Sequence, residues 1–374
     1  MTDRIMEYAR ALVRRSVPGY PAWNIERARQ GESADWNYVD GCMLLSFLLL
    51  GEAAGEPAFF DFVQSYVDPL ISPDGAIRGL RAEEPNLDNY CEGRVLFALY
   101  EKTGEEKYRL AIERLHALLA RHPRTKTGNL WHKAIYPDQV WLDGVYMAQV
   151  FTALYEKRFG CADYADILMR LEAVRVNMFD AEKRLYYHGW DESRTAFWAS
   201  PETGLSKSFW LRAMGWYAAA LADLWEIIPP EKGGARCAAL LTELCEGILS
   251  YRDGESGMYF QVVDQGTRAG NYLETSGSAL IAYAMCKGAK LGAPEKRFAQ
   301  YGKETYAGIV RHALSGEGET LRLGGICLSA GLGPAGNLRR DGSFDYYISE
   351  PVVENDAKGA APLLLCHAEL LRLG

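Results

Sequence analysis

Two kinds of predicted helix alternate along the chain, and this alternation constrains the fold more than any other feature. One kind begins close to a glycine and continues as an almost entirely apolar run, which is typical of a buried helix. These six segments start near Gly41, Gly93, Gly144, Gly215, Gly277 and Gly359. The other kind is amphipathic with a charged face, which is typical of a surface helix. These six segments span residues 3–16, 58–71, 107–121, 162–180, 235–252 and 295–313.

Such alternation, at a repeat of roughly 50–80 residues, indicates a repeated helix-pair architecture. Strand-like alternation is scarce, so the chain is predicted to be all-α. An open solenoid and a closed ring both fit six pairs, but an open solenoid needs polar terminal repeats. Because the last apolar segment runs to the C-terminus without one, we predict a closed (α/α)6 barrel, a single domain over residues 1–374. In such a ring the six inner helices are parallel, and their N-termini meet at one mouth.

Charge and composition argue against several classes of protein. The formal net charge is −8 and no Lys/Arg cluster stands out, so nucleic acid and anionic membranes are disfavoured as partners. The longest apolar run, residues 43–50, is too short to span a bilayer. The N-terminal segment has charges at helical spacing and lacks the apolar core of a signal peptide, so we expect a cytoplasmic protein. The eight cysteines form no CxxC motif, which predicts reduced, buried thiols.

The segments at the predicted mouth are rich in carboxylates, aromatic rings and cations. Each residue also has a purely structural interpretation. Aspartate is a preferred helix N-cap, so Asp143 and Asp88 are cap candidates as well as candidate acids. The tryptophans are also candidates for the apolar core, and the histidines for structural hydrogen bonds; these residues are Trp141, Trp210, Trp216, His132 and His188.

Together, these residue types at one mouth favour a carbohydrate site. Apolar sugar faces stack on indole rings, while sugar hydroxyls need polar partners. Converging helix N-termini create a positive potential. Arg212, in the first turn of one inner helix, together with His132 and Lys133, adds to it. The sequence therefore predicts an acidic sugar, a uronic acid, as the ligand.

Four stretches carry a resemblance to a known family: residues 138–151 (DQVWLDGVYMAQVF), 208–217 (SFWLRAMGWY), 273–284 (LETSGSALIAYA) and 349–365 (SEPVVENDAKGAAPLLL). They resemble the unsaturated rhamnogalacturonyl hydrolases of glycoside hydrolase family 105, and the resemblance extends from about residue 35 to the C-terminus. It implies an (α/α)6 barrel. It also implies a cytoplasmic enzyme that releases 4-deoxy-4,5-unsaturated galacturonic acid from the non-reducing end of rhamnogalacturonan fragments and leaves rhamnose.

The resemblance also assigns roles to residues. Asp143 is expected to be the general acid/base and Asp88 its partner. The residues expected to line the subsite of the unsaturated sugar are Tyr38, His132, Trp141, His188, Trp210, Arg212 and Trp216. We expect neither a metal nor another cofactor. The expected partner is a small acidic oligosaccharide, and the sequence leaves the oligomeric state open.

The chemistry makes a demand on Asp143. An unsaturated uronic acid is a vinyl ether, so an acid can protonate C4 while water adds at C5, and the resulting hemiketal opens and expels the leaving group. The acid must be protonated near neutral pH, although free aspartate titrates near pH ~3.9. We therefore expect burial beside Trp141 and Leu142, with a second carboxylate nearby, to raise the pKa of Asp143. The helix dipole opposes this shift.

Three alternatives stay open at this point. A conventional inverting glycosidase would use Asp88 and Asp143 as acid and base. An unsaturated glucuronyl hydrolase acting on glycosaminoglycan or ulvan fragments would differ in sugar epimer and leaving group. A carbohydrate-binding barrel would lack catalysis altogether. The loops expected to contact the leaving group, residues 78–85 and the glycine-rich 327–347, carry no motif that discriminates among them.

Overall fold

The computed structural model describes residues 2–33 and 35–373. Six inner helical segments surround a common axis: α3 (Tyr38–Ala54), α5 (Gly93–Thr103), α7 (Leu142–Gly144) continued by a π-helical turn (Val145–Gln149) and α8 (Val150–Arg158), α10 (Leu211–Ile227), α12 (Thr275–Leu291) and α15 (Ala357–Arg372). Six helices form the outer layer: α1 (Thr2–Arg14), α4 (Ala58–Val67), α6 (Glu106–Ala120), α9 (Ala165–Met178), α11 (Gly234–Leu249) and α13 (Arg297–His312). Short helices α2 (Ile25–Gln30) and α14 (Phe344–Ile348) and 3-10 turns at Asp68–Leu70, Leu87–Tyr90, Pro230–Lys232, Val263–Gln265 and Gly318–Thr320 lie in the connections.

The inner helices form a closed ring. Each one packs against the next in chain order, from α3 through α5, α8, α10 and α12 to α15, and α15 packs back against α3. This last contact excludes the open solenoid, and the predicted (α/α)6 barrel is confirmed. In the described part of the chain, no helix combines the length and apolarity needed to cross a membrane.

Glycines near the starts of the inner helices allow these helices to approach closely. A Cβ added to Gly277 would lie 2.4 Å from Cγ of Leu211, and one added to Gly41 would lie 2.5 Å from Cα of Glu92. Such distances are far below van der Waals contact, so a larger residue would push neighbouring helices apart. The glycines that begin the apolar runs therefore serve packing within the ring.

Side chains cap several inner helices at the mouth. Asn37 accepts a hydrogen bond from the Asp40 amide at the start of α3. Glu274 accepts from the amides of Ser276 and Gly277 at the start of α12. Asp356 accepts from the Lys358 amide at the start of α15. These three residues satisfy amides that a helix N-terminus leaves unpaired.

Four short two-stranded antiparallel ladders lie in the connections between the helices, and the sequence did not predict them. They pair β1 (Gln139–Trp141) with β4 (Gly189–Asp191), β2 (Phe179–Asp180) with β3 (Leu185–Tyr186), β5 (Leu314–Ser315) with β6 (Arg322–Leu323), and β7 (Ile326–Cys327) with β8 (Val352–Val353). Strands of two or three residues are too short to show the alternation by which a strand is recognised.

All eight cysteines are free, and all except Cys161 are buried, in agreement with the expected reduced thiols. The sulfur atoms of Cys42 and Cys91 lie 3.6 Å apart between α3 and the segment that precedes α5.

A buried ion network connects three inner helices. Asp223 on α10 accepts from Nη2 of Arg94 on α5 at 2.6 Å and from Nζ of Lys287 on α12, also at 2.6 Å. The Tyr283 hydroxyl donates to the same carboxylate at 2.5 Å. The Asp223 side chain is 2% exposed and those of the two cations no more than 6%. Asp223 is therefore the common counter-ion of two buried cations.

We expect Asp223→Ala to lower the free energy of unfolding by about 3–5 kcal/mol, because Arg94 and Lys287 would keep buried charges without this counter-ion. Urea denaturation followed by circular dichroism measures the effect. Asp345→Ala is the matched control: it breaks an exposed ion pair with Arg268 and should change stability by less than about 0.5 kcal/mol. Equal effects of the two substitutions would contradict this account of the network.

Candidate active site

A cavity of about 240 Å³ lies among the N-terminal ends of the inner helices. Eight of the nine predicted site residues line it: Tyr38, Asp88, His132, Trp141, Asp143, Trp210, Arg212 and Trp216. The ninth, His188, is fully buried and contacts Asp143 from behind the cavity wall. A larger hollow of about 650 Å³ lies near the C-terminal ends of α3 and α5. We place the candidate site in the smaller cavity because carboxylates, indoles and buried cations converge there.

Asp143 occupies the start of the third inner segment. Strand β1 leads directly into α7, in which Asp143 is the second residue, and no side chain caps this helix. The alternative interpretation of Asp143 as an N-cap is therefore wrong. Its side chain is 14% exposed and lines the cavity. The π-helical turn follows at once, and such turns occur frequently at functional sites.

The β1–β4 ladder brings His188 against Asp143. Trp141 pairs with Gly189, and the Leu142 amide donates to the His188 carbonyl oxygen at 3.1 Å. This places Nε2 of His188 3.2 Å from Oδ2 of Asp143. On the other side of the ring, Nδ1 of His188 lies 2.6 Å from the hydroxyl of the buried Tyr347. The three side chains form a row that leads from the cavity into the protein.

The expected upward shift in the pKa of Asp143 is not found. Burial does raise the pKa, but the imidazoles of His188 and His132 lower it by more. The resulting pKa of Asp143 lies below the usual range for aspartate. The largest opposing effect comes from His188, which is 45 residues away in the sequence. Asp143 is therefore ionised near neutral pH.

Asp88 lies opposite, in the 3-10 turn that precedes α5. Asn86, not Asp88, caps this turn, since the Asn86 side chain accepts from the Asp88 amide at 3.0 Å. Oδ2 of Asp88 lies 2.6 Å from Nζ of Lys133, and Oδ1 lies 3.9 Å from Nε2 of His132. Burial lowers the pKa of Lys133, but Asp88 raises it by more. Asp88 is therefore half of an ion pair at the cavity wall.

Stacked rings form one wall of the cavity. The rings of His132 and Trp141 stack with centroids 4.2 Å apart and an angle of 17° between their planes, and Tyr136 lies 4.6 Å from Trp141. Burial lowers the pKa of His132 to about 4, so this imidazole is neutral near neutral pH. The wall thus offers flat, uncharged faces of the kind on which sugar rings pack.

The other two tryptophans belong both to the core and to the cavity. The indole of Trp210 donates to Oε1 of Gln261 at 3.2 Å and stacks on Tyr347 at 5.7 Å. Trp216 packs against Tyr146 at 4.6 Å. Both are almost fully buried, yet both contribute to the cavity lining. Their core and site interpretations are compatible.

Arg212 provides a cation deep in the site. Its Nη1 donates to the Cys327 carbonyl oxygen and, at 3.2 Å, to Oγ of Ser276, and its guanidinium lies over the Trp210 ring. These partners are neutral. Within the described residues no carboxylate lies at ion-pair distance from Arg212, although the more distant Glu274 and Asp356 raise its pKa. The guanidinium therefore has room for direct contact with an anionic ligand. Tyr38, the first residue of α3, lines the same cavity.

Lys133, expected from the sequence to add positive charge, also lines the cavity, as do residues to which sequence reasoning assigned no role: Glu26, Tyr136, Met147, Ser329, Ala330 and Arg340. Tyr136 and Met147 lie within a few residues of Asp143 in the sequence, so their position near this motif could have predicted that they line the site. Glu26 and the residues from 329 to 340 come from a short helix and a long loop that lack a recognisable motif.

We expect His188→Gln to raise the pKa of Asp143, because it removes the imidazole that stabilises the carboxylate. The measurement is a carbon-13 NMR titration of the aspartate carboxyl groups, with Asp143→Asn used to assign the resonance. His122→Gln serves as the control, since His122 bonds to the Trp131 carbonyl oxygen and is not among the groups that shift Asp143. An unchanged or lower pKa in His188→Gln would contradict the electrostatic account.

Comparison with known proteins agrees with the fold. The model of Glycosyl Hydrolase Family 88 matches residues 13–374. A family 105 glycoside hydrolase from C. acetobutylicum has a structure that superimposes with a TM-score of 0.88 at 38% identity, covering 97% of this chain and 99% of that one. An unsaturated glucuronyl hydrolase from Bacillus sp. GL1 shares the fold, with a TM-score of 0.70 at 15% identity over 99% of this chain and 97% of that one.

A curated relative, the 24.9 kDa protein in picA locus of Rhizobium radiobacter, is 42% identical over 194 residues, which is 50% of this chain and 83% of the relative. The family model and the family 105 structure each cover nearly the whole chain. The chain therefore belongs to the glycoside hydrolases of families 88 and 105.

Proposed function

We propose that this glycoside hydrolase releases 4-deoxy-4,5-unsaturated galacturonic acid from the non-reducing end of unsaturated rhamnogalacturonan oligosaccharides, a step in pectin degradation. The observation that carries the proposal is the position of Asp143. It lies in the first turn of a helix that has no side-chain cap, it contacts His188, and it lines a cavity of about 240 Å³. This volume is below the usual range for drug-sized ligands and suits one sugar ring. The remaining sugars would then project from the mouth.

Asp143 acts as the acid in this mechanism. It donates a proton to C4 of the unsaturated ring, and positive charge develops at C5 and the ring oxygen. Asp143, now a carboxylate, accepts a proton from the water that adds to C5. The product is a hemiketal, which opens and releases the sugar attached at C1. A single carboxyl group thus performs both proton transfers.

Substrate binding favours the protonated form of Asp143 that this mechanism requires. The unsaturated uronate brings a carboxylate into the cavity and expels water, and both changes disfavour a second ionised carboxylate. Asp143 therefore takes up a proton when the substrate binds. Nε2 of His188 lies 3.2 Å from Oδ2 of this carboxyl group.

The remaining lining residues recognise the sugar. Arg212, buried and without a carboxylate partner in the described chain, binds the uronate group. The His132–Trp141 wall packs against the apolar face of the ring. Asp88 is held by Lys133 and accepts hydrogen bonds from sugar hydroxyls.

The choice of rhamnogalacturonan over glucuronides rests on sequence similarity. The family 105 hydrolase is 38% identical over nearly the full length, whereas the unsaturated glucuronyl hydrolase, at 15%, is related in fold alone. The four stretches around Asp143, Trp210, Thr275 and Asp356 that resemble unsaturated rhamnogalacturonyl hydrolases all contribute residues at the mouth of the barrel.

The activity is tested with the unsaturated rhamnogalacturonan disaccharide by following the ultraviolet absorbance of its conjugated double bond. We expect absorbance to fall as rhamnose appears. Asp143→Asn should slow turnover by about 10²–10⁴-fold, the range of general acid–base catalysis, while ligand affinity is retained. Asp345→Asn, at an exposed position, is the control.

The outcomes separate the alternatives. Cleavage of saturated uronides with the double bond of the unsaturated substrate intact would indicate a conventional glycosidase. Faster turnover of an unsaturated glucuronyl disaccharide would indicate a glucuronyl hydrolase. Binding by the native protein without any loss of absorbance would indicate a carbohydrate-binding barrel.

Proton uptake on binding is a further expectation. Because His188 and His132 depress the pKa of Asp143 and an anion bound beside it should raise that pKa, ligand binding near neutral pH should take up close to one proton. Calorimetry with the saturated galacturonyl-rhamnose disaccharide, in buffers of different ionisation enthalpy, measures this number. Asp143→Asn should take up none. Equal uptake by both proteins would contradict the role of Asp143.

A further inference from the structure

Arg340 is a second cation at the cavity that has no ionic partner. Three cationic side chains line the cavity: Lys133, Arg212 and Arg340. Lys133 is neutralised by Asp88 at 2.6 Å. Within residues 2–33 and 35–373, neither Arg212 nor Arg340 has a carboxylate at ion-pair distance. Two positive charges are therefore available to anionic groups of a ligand.

The two arginines lie at different depths. Arg212 belongs to inner helix α10 and is 2% exposed. Arg340 lies on the glycine-rich loop and is only half-buried. The loop is closed by a hydrogen bond from the Gly333 amide to the Arg340 carbonyl oxygen at 2.8 Å. Arg340 therefore belongs to the rim of the cavity.

Gly331 brings this guanidinium close to the stacked wall. A Cβ on Gly331 would lie 3.3 Å from Nη1 of Arg340 and 3.3 Å from the ring of Trp141. The Arg340 guanidinium and the Trp141 indole thus both border Gly331. An anionic group that leaves the cavity along this wall meets Arg340.

The unsaturated sugar carries one carboxylate, and the proposed function assigns it to Arg212. A ligand for Arg340 must then be a second anionic group, located further along the substrate. In a rhamnogalacturonan, rhamnose alternates with galacturonic acid, so a leaving group longer than one sugar contains a second carboxylate. We propose, on the basis of the proposed function, that Arg340 binds this carboxylate and makes the enzyme prefer leaving groups that contain a uronic acid.

The surroundings of Arg340 provide space for such a leaving group. A neighbouring groove of about 630 Å³ is lined by Gly333 and Leu338 from the same loop and by Ile135 and Phe197 opposite them. Ile135 precedes Tyr136 of the cavity wall, so adjacent residues of one segment line the groove and the cavity. The exposed ring of Phe197 offers a face on which a further sugar packs.

Arg339 is a matched control in the same loop. Its Nη1 donates to Oε1 of Glu350 at 2.9 Å and its Nη2 donates to Oγ of Ser349 at 3.2 Å. It is not among the residues that line the cavity. Replacing Arg339 or Arg340 by glutamine removes the same formal charge from the same loop.

The test compares kcat/KM for two unsaturated tetrasaccharides of equal length. One contains the natural internal galacturonate, and in the other this carboxylate has been reduced to an alcohol. We expect the native enzyme to prefer the charged substrate by roughly tenfold or more, the scale of one charge-assisted hydrogen bond. Arg340→Gln should reduce this preference to nearly one, and Arg339→Gln should keep it. Melting temperatures confirm that both variants are folded.

Each result is decisive. Absence of a preference in the native enzyme, or an undiminished preference in Arg340→Gln, would overturn the role of Arg340 while leaving the proposed function intact. Loss of the preference in Arg339→Gln to the same degree would show that the loop charge as a whole is responsible and would also overturn it. Failure of the native enzyme to act on any unsaturated rhamnogalacturonan fragment would overturn the proposed function, and this inference with it.

Discussion

The packing of α15 against α3 is the contact on which the rest of the architecture depends. It closes six helix pairs into a ring, and a closed ring directs the N-termini of its inner helices to one opening. Glycines at the inner helix starts make the close packing possible. Asn37, Glu274 and Asp356 cap the helices that they precede, whereas Asp143 and Asp88 cap neither of the segments in which they lie. Carboxylates at equivalent ends of different helices therefore have different roles.

The protonation of Asp143 is decided by its neighbours in space. Its adjacent residues in the sequence are apolar and favour the neutral acid, but the β1–β4 ladder places His188 beside the carboxylate and the net shift is downward. The hydration of the double bond proposed for this site then requires that an anionic ligand raise the pKa of Asp143 as it binds. Such coupling between binding and protonation restricts the reactive state of the site to the complex.

The charges around the cavity are arranged independently of the net charge of the protein. The chain carries −8 overall, yet Arg212 in the interior and Arg340 at the rim both lack carboxylate partners in the described structure, and Lys133 neutralises Asp88. Low-dielectric walls make such local charges more effective than distant surface charges. Recognition of an acidic sugar is thus compatible with an acidic protein.

Helical periodicity and the distribution of apolar residues determined the six inner and six outer helices, because both depend on residues within a few turns of each other. The position of Asp143, Asp88, Trp210 and Arg212 at inner helix starts followed from the same pattern. The contact of His188 with Asp143, the short ladders and the rim position of Arg340 were decided only by the tertiary structure. They depend on pairing between segments distant in the chain, and strands of two or three residues or an irregular loop leave no periodic signal by which such pairing can be read.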